Sequence, residues 1–155
     1  MLIDRITITI TTLDIGRSIR NAIIATKPHT IESEITLVES LRAKNTENLE
    51  SLEKVVATPR GRELLGKVKQ ARAVLAQQYA PMHQLARSNK NGEAYVFLKQ
   101  HFSPTNNAFM TALRELAQYQ EERTQQAVQD GPSSYSQARS LMATVAQAAV
   151  AAWFI

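Results

Sequence analysis

At 155 residues the chain suits one domain with room for a packed core, and its 44% hydrophobic content with only five glycines and five prolines describes an all-helical protein. Cysteine is absent, which excludes a disulfide framework, thiolate chemistry and cysteine-ligated zinc. The formal charge of +4 comes from basic residues spread among nearly as many acidic ones, so no nucleic-acid partner is expected.

The first helix is expected over about Leu2 to Ala25. Asp4 and Arg5 interrupt the apolar start, which therefore does not read as a signal peptide. Ile3, Ile6, Ile10, Leu13, Arg17, Arg20 and Ile24 recur three and four residues apart, the spacing of a helix packed along its length. Two arginines thus occupy slots where leucines are expected. A guanidinium cannot shed its proton, so either that end of the helix is open to water or an anion is meant to sit there. A second apolar line runs through Ile8, Ile15, Ile19 and Ala22. Two lines on one helix point to one face on its own domain and one on a second copy, a homodimer through helix 1.

Lys27-Pro28-His29 ends that helix, and Thr30 is the expected N-cap of a second one reaching about Ala57. Its apolar positions are Ile31, Ile35, Val38, Leu41, Leu49, Leu52 and Val56. After Thr58-Pro59-Arg60-Gly61 a third helix is expected to about Ser88, lined by Leu64, Val68, Ala71, Leu75, Met82 and Leu85 and bent at Pro81. Asn89-Lys90-Asn91-Gly92 signals a turn. The fourth helix is expected from Glu93 to about Gln129, with the seam Leu98, Phe102, Thr105, Phe109, Ala112, Leu116 and Tyr119. Four helices joined by short loops imply an antiparallel up-down-up-down four-helix bundle over residues 1–132. In that topology Arg17 and Arg20 are level with Phe102 to Asn106 and roughly with Tyr79. The densest basic stretch, Arg60 to Arg72, falls toward the opposite end, where it would face lipid head groups of a nearby membrane. Gly131-Pro132 is expected to break the chain again, and Leu141 to Ile155 carries no charge. Residues 133–155 are therefore read as the start of a transmembrane or membrane-proximal helix, although fifteen apolar residues are fewer than the ~20 that span a bilayer.

His101-Phe102-Ser103-Pro104-Thr105-Asn106-Asn107-Ala108-Phe109, followed by Ala117-Gln118-Tyr119, resembles the fourth helix of the periplasmic ligand-binding domain of bacterial methyl-accepting chemotaxis receptors, the aspartate receptor in particular. Gly16-Arg17-Ser18-Ile19-Arg20-Asn21 is similar to that family's arginine segment. The resemblance implies a homodimeric sensor in the bacterial inner membrane, facing the periplasm and anchored by flanking segments. It implies a small anionic ligand held by helix-1 arginines and the helix-4 threonine. Two departures stand out. The aspartate receptor spaces three arginines over helix 1, whereas here only two, Arg17 and Arg20, fall in that region, three apart, so Arg20 and Thr105 carry over best. Gly131-Pro132 also falls in a helix that in the family runs unbroken into the membrane.

A planar carboxylate accepts two parallel hydrogen bonds from one guanidinium, so arginines suit an organic acid such as a dicarboxylate or tricarboxylate. The candidate ligand-binding residues are Arg17, Arg20, Asn21, Arg72, Tyr79, Phe102 and Thr105. Arg17 and Arg20 otherwise pair with Asp14 or Glu39 or extend to water, Thr105 otherwise bonds the carbonyl one turn back, and Phe102 is otherwise core. His29, His83 and His101 occur singly, with no metal-ligand spacing, no glycine-rich phosphate loop and no Glu-x-x-His pairs. No enzymatic activity, cofactor or metal is expected. The competing function is a helical protein–protein interaction or adaptor module without a small-molecule ligand.

Overall fold

The computed structural model describes the backbone of residues 2–151 and the side chains of residues 7–129 together with Gly131. The side chains of Ile3 and Ile6, and the apolar run from Leu141 to Ile155 with Trp153, lie outside the described side chains. Two compact units are present, residues 1–117 and 118–155.

Residues 1–117 fold as an antiparallel four-helix bundle. The rods are α1 (Leu2–Ile24), α2 (Pro28–Val55), a third made of α3 (Pro59–Ala76) and α4 (Tyr79–Arg87), and a fourth made of α5 (Asn91–Phe97), a π-helical turn over Leu98–Phe102 and the start of α6 (Ser103–Ala151). Ala22 at the end of α1, Ile31 and Ile35 at the start of α2 and Ala86 near the end of α4 pack into one apolar cluster. That cluster fixes the alternating direction of the rods.

α1 buries the second of its two apolar lines. Ile8, Ile15, Ile19, Ala22 and Ile23 are core, together with Thr11, Thr12 and Ser18. Ile10, Leu13 and Ile24 are exposed. The seam that carries the arginines therefore faces outward from its own bundle. Threonine in the true core line is tolerated because each hydroxyl reaches a carbonyl one turn back: Thr12 Oγ1 donates to Ile8 O at 2.7 Å, and Thr11 Oγ1 divides its one proton between Thr7 O at 2.8 Å and the Asn45 amide oxygen. Small side chains there also let α1 and α2 approach closely.

Helix boundaries differ from expectation where proline acts. Pro28 opens α2 at its first turn, where a missing N–H is harmless, and Thr30 caps nothing: its own N–H donates to Lys27 O at 3.0 Å. Thr58 does cap α3, accepting from Gly61 N at 3.1 Å with Pro59 behind it. Pro81 does not merely bend the third rod. It cannot donate to the carbonyl of Gln77 and its ring crowds that oxygen, so the helix ends at Ala76 and restarts at Tyr79. Gln77 N and Gln78 N fall back on tight bonds to Val74 O and Leu75 O, at 3.3 and 3.0 Å.

The fourth rod starts at Asn91 and yields before Pro104. Ser103 N bonds Leu98 O five residues back, the widened turn that absorbs an extra residue without ending a helix. Between α4 and α5, Asn89 adopts φ 52°, with Lys90 N bonding Leu85 O at 3.1 Å and Asn89 N bonding Ala86 O at 3.0 Å. This is the Schellman closure of a helix end, with asparagine in the left-handed position.

Within residues 118–155, α6 continues through Gly131-Pro132, so the expected break there does not occur. One proline removes a single backbone bond, and the residue four positions earlier, Val128, is exposed, so water can serve the released carbonyl. Residues 121–129 are exposed, and Gln118 and Gln125 bond Glu122 and Glu121 one turn away. Among the described residues no helix is long and apolar enough to cross a membrane.

Candidate functional site

The structure divides the seven sequence-predicted residues into three places. Arg17 and Arg20 lie on the exposed face of α1, among Ile10, Leu13 and Ile24. Arg17 keeps 65% of its side chain exposed and pairs with Asp14 at 3.2 Å, an exposed one-turn pair worth little. Both guanidinium groups are exposed on the bundle, so within one protomer that end of the helix is open to water. Asn21 turns inward from that face and donates to Glu34 Oε1 at 3.1 Å, tying the end of α1 to α2.

Thr105 lies elsewhere. Its hydroxyl bonds the carbonyls of His101 and Phe102, at 3.0 and 2.9 Å, one turn back across the π-helical turn. With Pro104, Ala108, Gln70 and Val74 it lines an open groove of about 650 Å³ between α3 and α6.

Arg72, Tyr79 and Phe102 are brought together with residues the sequence reading passed over. Tyr79 is 5% exposed and Phe102 2% exposed, and their rings meet edge to face at 5.4 Å. The two helix irregularities made by Pro81 and Pro104 face each other here, one presenting Tyr79 and the other Phe102. On another side of Tyr79 the Arg42 guanidinium lies 4.1 Å from the ring centroid, a cation–π contact, while its Nη1 bonds both oxygens of Glu39 at 2.7 Å. A cavity of about 40 Å³ opens among Thr12, Arg42, Asn45, Arg72 and Tyr79. Thr12 and Ile15, not Arg17 and Arg20, are the α1 residues that line it. Tyr79 thus sits about a helical turn below the arginines and on the other side of α1. Arg72 reaches the same cavity despite starting one heptad away, because its side chain is long and the third rod is interrupted between them.

The polar side chains around that cavity form a chain. Asn45 Nδ2 donates to Thr12 Oγ1 at 3.2 Å and Asn45 Oδ1 accepts from Thr11 Oγ1. Arg72 Nη2 donates to Thr46 Oγ1, which in turn donates to Arg42 O at 3.0 Å. No carboxylate lies within ion-pair distance of Arg72 among the described residues. Burial pushes the Tyr79 hydroxyl up to about 12, against the pull of Arg42, so it remains a proton donor at neutral pH. Beside it, His83 has its Nδ1 3.6 Å from Glu39 Oε1 and its Nε2 buried without a hydrogen bond. Burial holds His83 below its ordinary 6.5, partly offset by Glu39.

Arg42 and Asn45 were legible and missed. The sequence Ile31, Ile35, Val38, Arg42, Asn45, Leu49, Leu52, Val56 keeps the three-four alternation without a gap, and the structure buries every member except half-buried Arg42. The break in apolarity that drew attention to Arg17 and Arg20 on α1 thus recurs on α2. Choosing Leu41 in place of Arg42 hid it.

Within the basic stretch from Arg60 to Arg72, Arg60 and Lys67 share Glu63, at 2.6 and 3.9 Å, and Lys69 pairs with Glu53 at 2.6 Å, so two carboxylates stand against five basic residues. Among the described residues no group of three or more His, Cys, Asp or Glu is placed to hold a metal ion.

The antiparallel four-helix bundle carries guanidinium groups both on an outward face of α1 and in a recess between its rods. The chain belongs to the family described as the four helix bundle sensory module for signal transduction, whose model matches residues 5–135. The sequence resemblance to chemotaxis-receptor sensor domains and the four-helix fold agree with that assignment. Comparison with curated proteins and with solved structures gave no match.

Proposed function

We propose that this sensory module is the extracytoplasmic part of a chemotaxis receptor and that it binds a small organic acid, such as a dicarboxylate or tricarboxylate, where two copies meet along α1. The observation that carries this reading is the outward face of α1. Ile10, Leu13 and Ile24 are apolar and exposed, and Arg17 and Arg20 share their face. Pairing two such faces buries the apolar side chains and brings four guanidinium groups together. An acidic ligand relieves that repulsion and takes bidentate hydrogen bonds from the planar donors. Thr105 is less well suited to this role than the resemblance implies, since its hydroxyl is already committed to two carbonyls.

The test is a thermal-shift panel of amino acids and of di- and tricarboxylates on the wild type and on Arg20→Leu. A ligand at a hundred times its dissociation constant adds about 2.7 kcal/mol to the folded state. The proposal expects that gain from an organic acid and expects Arg20→Leu to remove most of it. Stabilisation by an amino acid but not by its deaminated analogue overturns the ligand class. Full retention of the shift in Arg20→Leu overturns the site.

A further inference from the structure

The cavity between α1, α2 and the interrupted third rod is lined by apolar Ile15, Leu75, Ala76 and Phe109 and by a polar group that includes Arg42, Asn45, Arg72 and Tyr79. Arg72 spends one nitrogen on Thr46 and has no carboxylate within ion-pair distance among the described residues. Arg42 spends Nη1 on Glu39 and keeps its other nitrogens uncommitted to any side chain. The Tyr79 hydroxyl makes no hydrogen bond among the described residues, although the residue is 5% exposed, and Arg42, Glu39 and Arg72 all act on its ionisation. Asn45 turns its amide nitrogen, not its oxygen, toward Thr12, and its oxygen is taken by Thr11. The arginine donors are half-buried and reachable by water, and it is their convergence on one recess that an acceptor-rich guest would complement.

Charge and size define the guest further. Glu39 offsets Arg42 and Glu53 pairs with Lys69, so the charge offered to a guest is at most about one, on Arg72, with Glu50 in the same groove. A volume of about 40 Å³ takes two or three waters or one anion of three or four heavy atoms, and is too small for a four-carbon diacid. Flat guanidinium donors select a flat oxyanion over a spherical ion. Arg72 also lines a surface groove with Thr46, Glu50, Glu53 and Lys69, so it stands at the entrance between solvent and cavity.

We propose that the recess formed by Arg42, Arg72, Tyr79 and Asn45 is a second binding site, internal to each protomer, for a small planar monoanion such as a one- or two-carbon carboxylate or nitrate. The site is separate from the outward α1 arginines and does not require a dimer. Its position gives it a consequence for the fold. Arg72 belongs to α3, Arg42 and Asn45 to α2, and Tyr79 opens α4 against Phe102 of the π-helical turn. An anion held by all four ties α2 to both halves of the interrupted third rod, beside the Tyr79–Phe102 contact.

The experiment follows the Arg Nε–Hε resonances of the wild-type protein by nuclear magnetic resonance during separate titrations with formate, acetate, nitrate and succinate at constant ionic strength. Saturable shifts of the Arg42 and Arg72 signals with one or more of the small anions, and none with succinate, are expected. The order of affinity among the three small anions separates a carboxylate from an inorganic guest. Arg72→Gln should weaken binding about tenfold or more, as loss of a charged donor does. Tyr79→Phe should weaken it less, and Arg20→Leu should leave it unchanged. Absence of saturable shifts at Arg42 and Arg72 overturns the proposal. So does wild-type affinity in a folded Arg72→Gln, or loss of small-anion binding in Arg20→Leu. Should Arg72→Gln not fold, the wild-type titration and Tyr79→Phe decide between these outcomes. The organic-acid site on α1 fails separately, through Arg20→Leu in the thermal-shift panel.

Discussion

Replacing Phe102 with alanine tests whether the junction of the two irregular segments holds the bundle together. Phe102 is 2% exposed and meets the Tyr79 ring at 5.4 Å with an interplanar angle of 79°. Truncating a buried phenylalanine costs about 3–5 kcal/mol from lost transfer and the cavity left behind. Part of that, about 0.5–1.5 kcal/mol, belongs to an edge-to-face pair of this kind. Set against a total stability of about 5–15 kcal/mol, the loss is a large fraction and should lower the melting temperature by roughly 10–20 °C. Urea unfolding followed by far-ultraviolet circular dichroism measures it, with Phe97→Ala as the reference. Phe97 is half-buried and touches only the exposed His101 among ring partners, at 4.9 Å, so its loss should cost about 1–2 kcal/mol. A Phe102→Ala protein within about 1 kcal/mol of the wild type would refute the claim that the Tyr79–Phe102 contact joins the third and fourth rods.

Thr58→Ala should cost about 1 kcal/mol by freeing the Gly61 N–H, whereas Thr30→Ala should stay within about 0.5 kcal/mol; equal losses in thermal melts would contradict the cap assignment. His83 has a pKa below its ordinary 6.5 in the folded protein, so the unfolded chain binds the extra proton first. Its contribution to stability is therefore complete above 6.5 and is lost as pH falls through that value toward the folded pKa. Melting temperature should drop between about pH 7.5 and pH 5.5, and His83→Gln should flatten that drop; an unchanged slope would remove His83 as its source.

Helix number, the order of the rods and most of the core were legible because apolar residues recur at helical spacing. Of the positions expected to line α2, the third rod and the fourth, only Leu41, Ala71, Leu85, Thr105 and Tyr119 escape full burial. The face of α1 was not legible. Both faces carry large apolar residues, Ile10, Leu13 and Ile24 outward and Ile8, Ile15, Ile19 and Ile23 in the core, and the core face also contains Thr11, Thr12 and Ser18, whose size favours close packing with α2. Hydrophobicity alone therefore does not say which line faces the bundle. Prolines were legible as irregularities but not as to kind. Pro28 starts a helix, Pro81 splits one, Pro104 follows a π-helical turn and Pro132 is absorbed, and what distinguishes them is which carbonyl each leaves unserved and what packs beside it. The gathering of Arg42, Arg72 and Tyr79 around one recess depends on that split, which no spacing rule contains.

Sedimentation velocity of the wild-type chain and of Arg20→Leu, with and without a saturating organic acid identified by the thermal-shift panel, tests most directly whether the outward face of α1 is where sensing occurs. The account predicts that the acid drives the wild type from monomer toward dimer and does not do so for Arg20→Leu. A wild type that binds the acid yet remains monomeric at high protein concentration would contradict it.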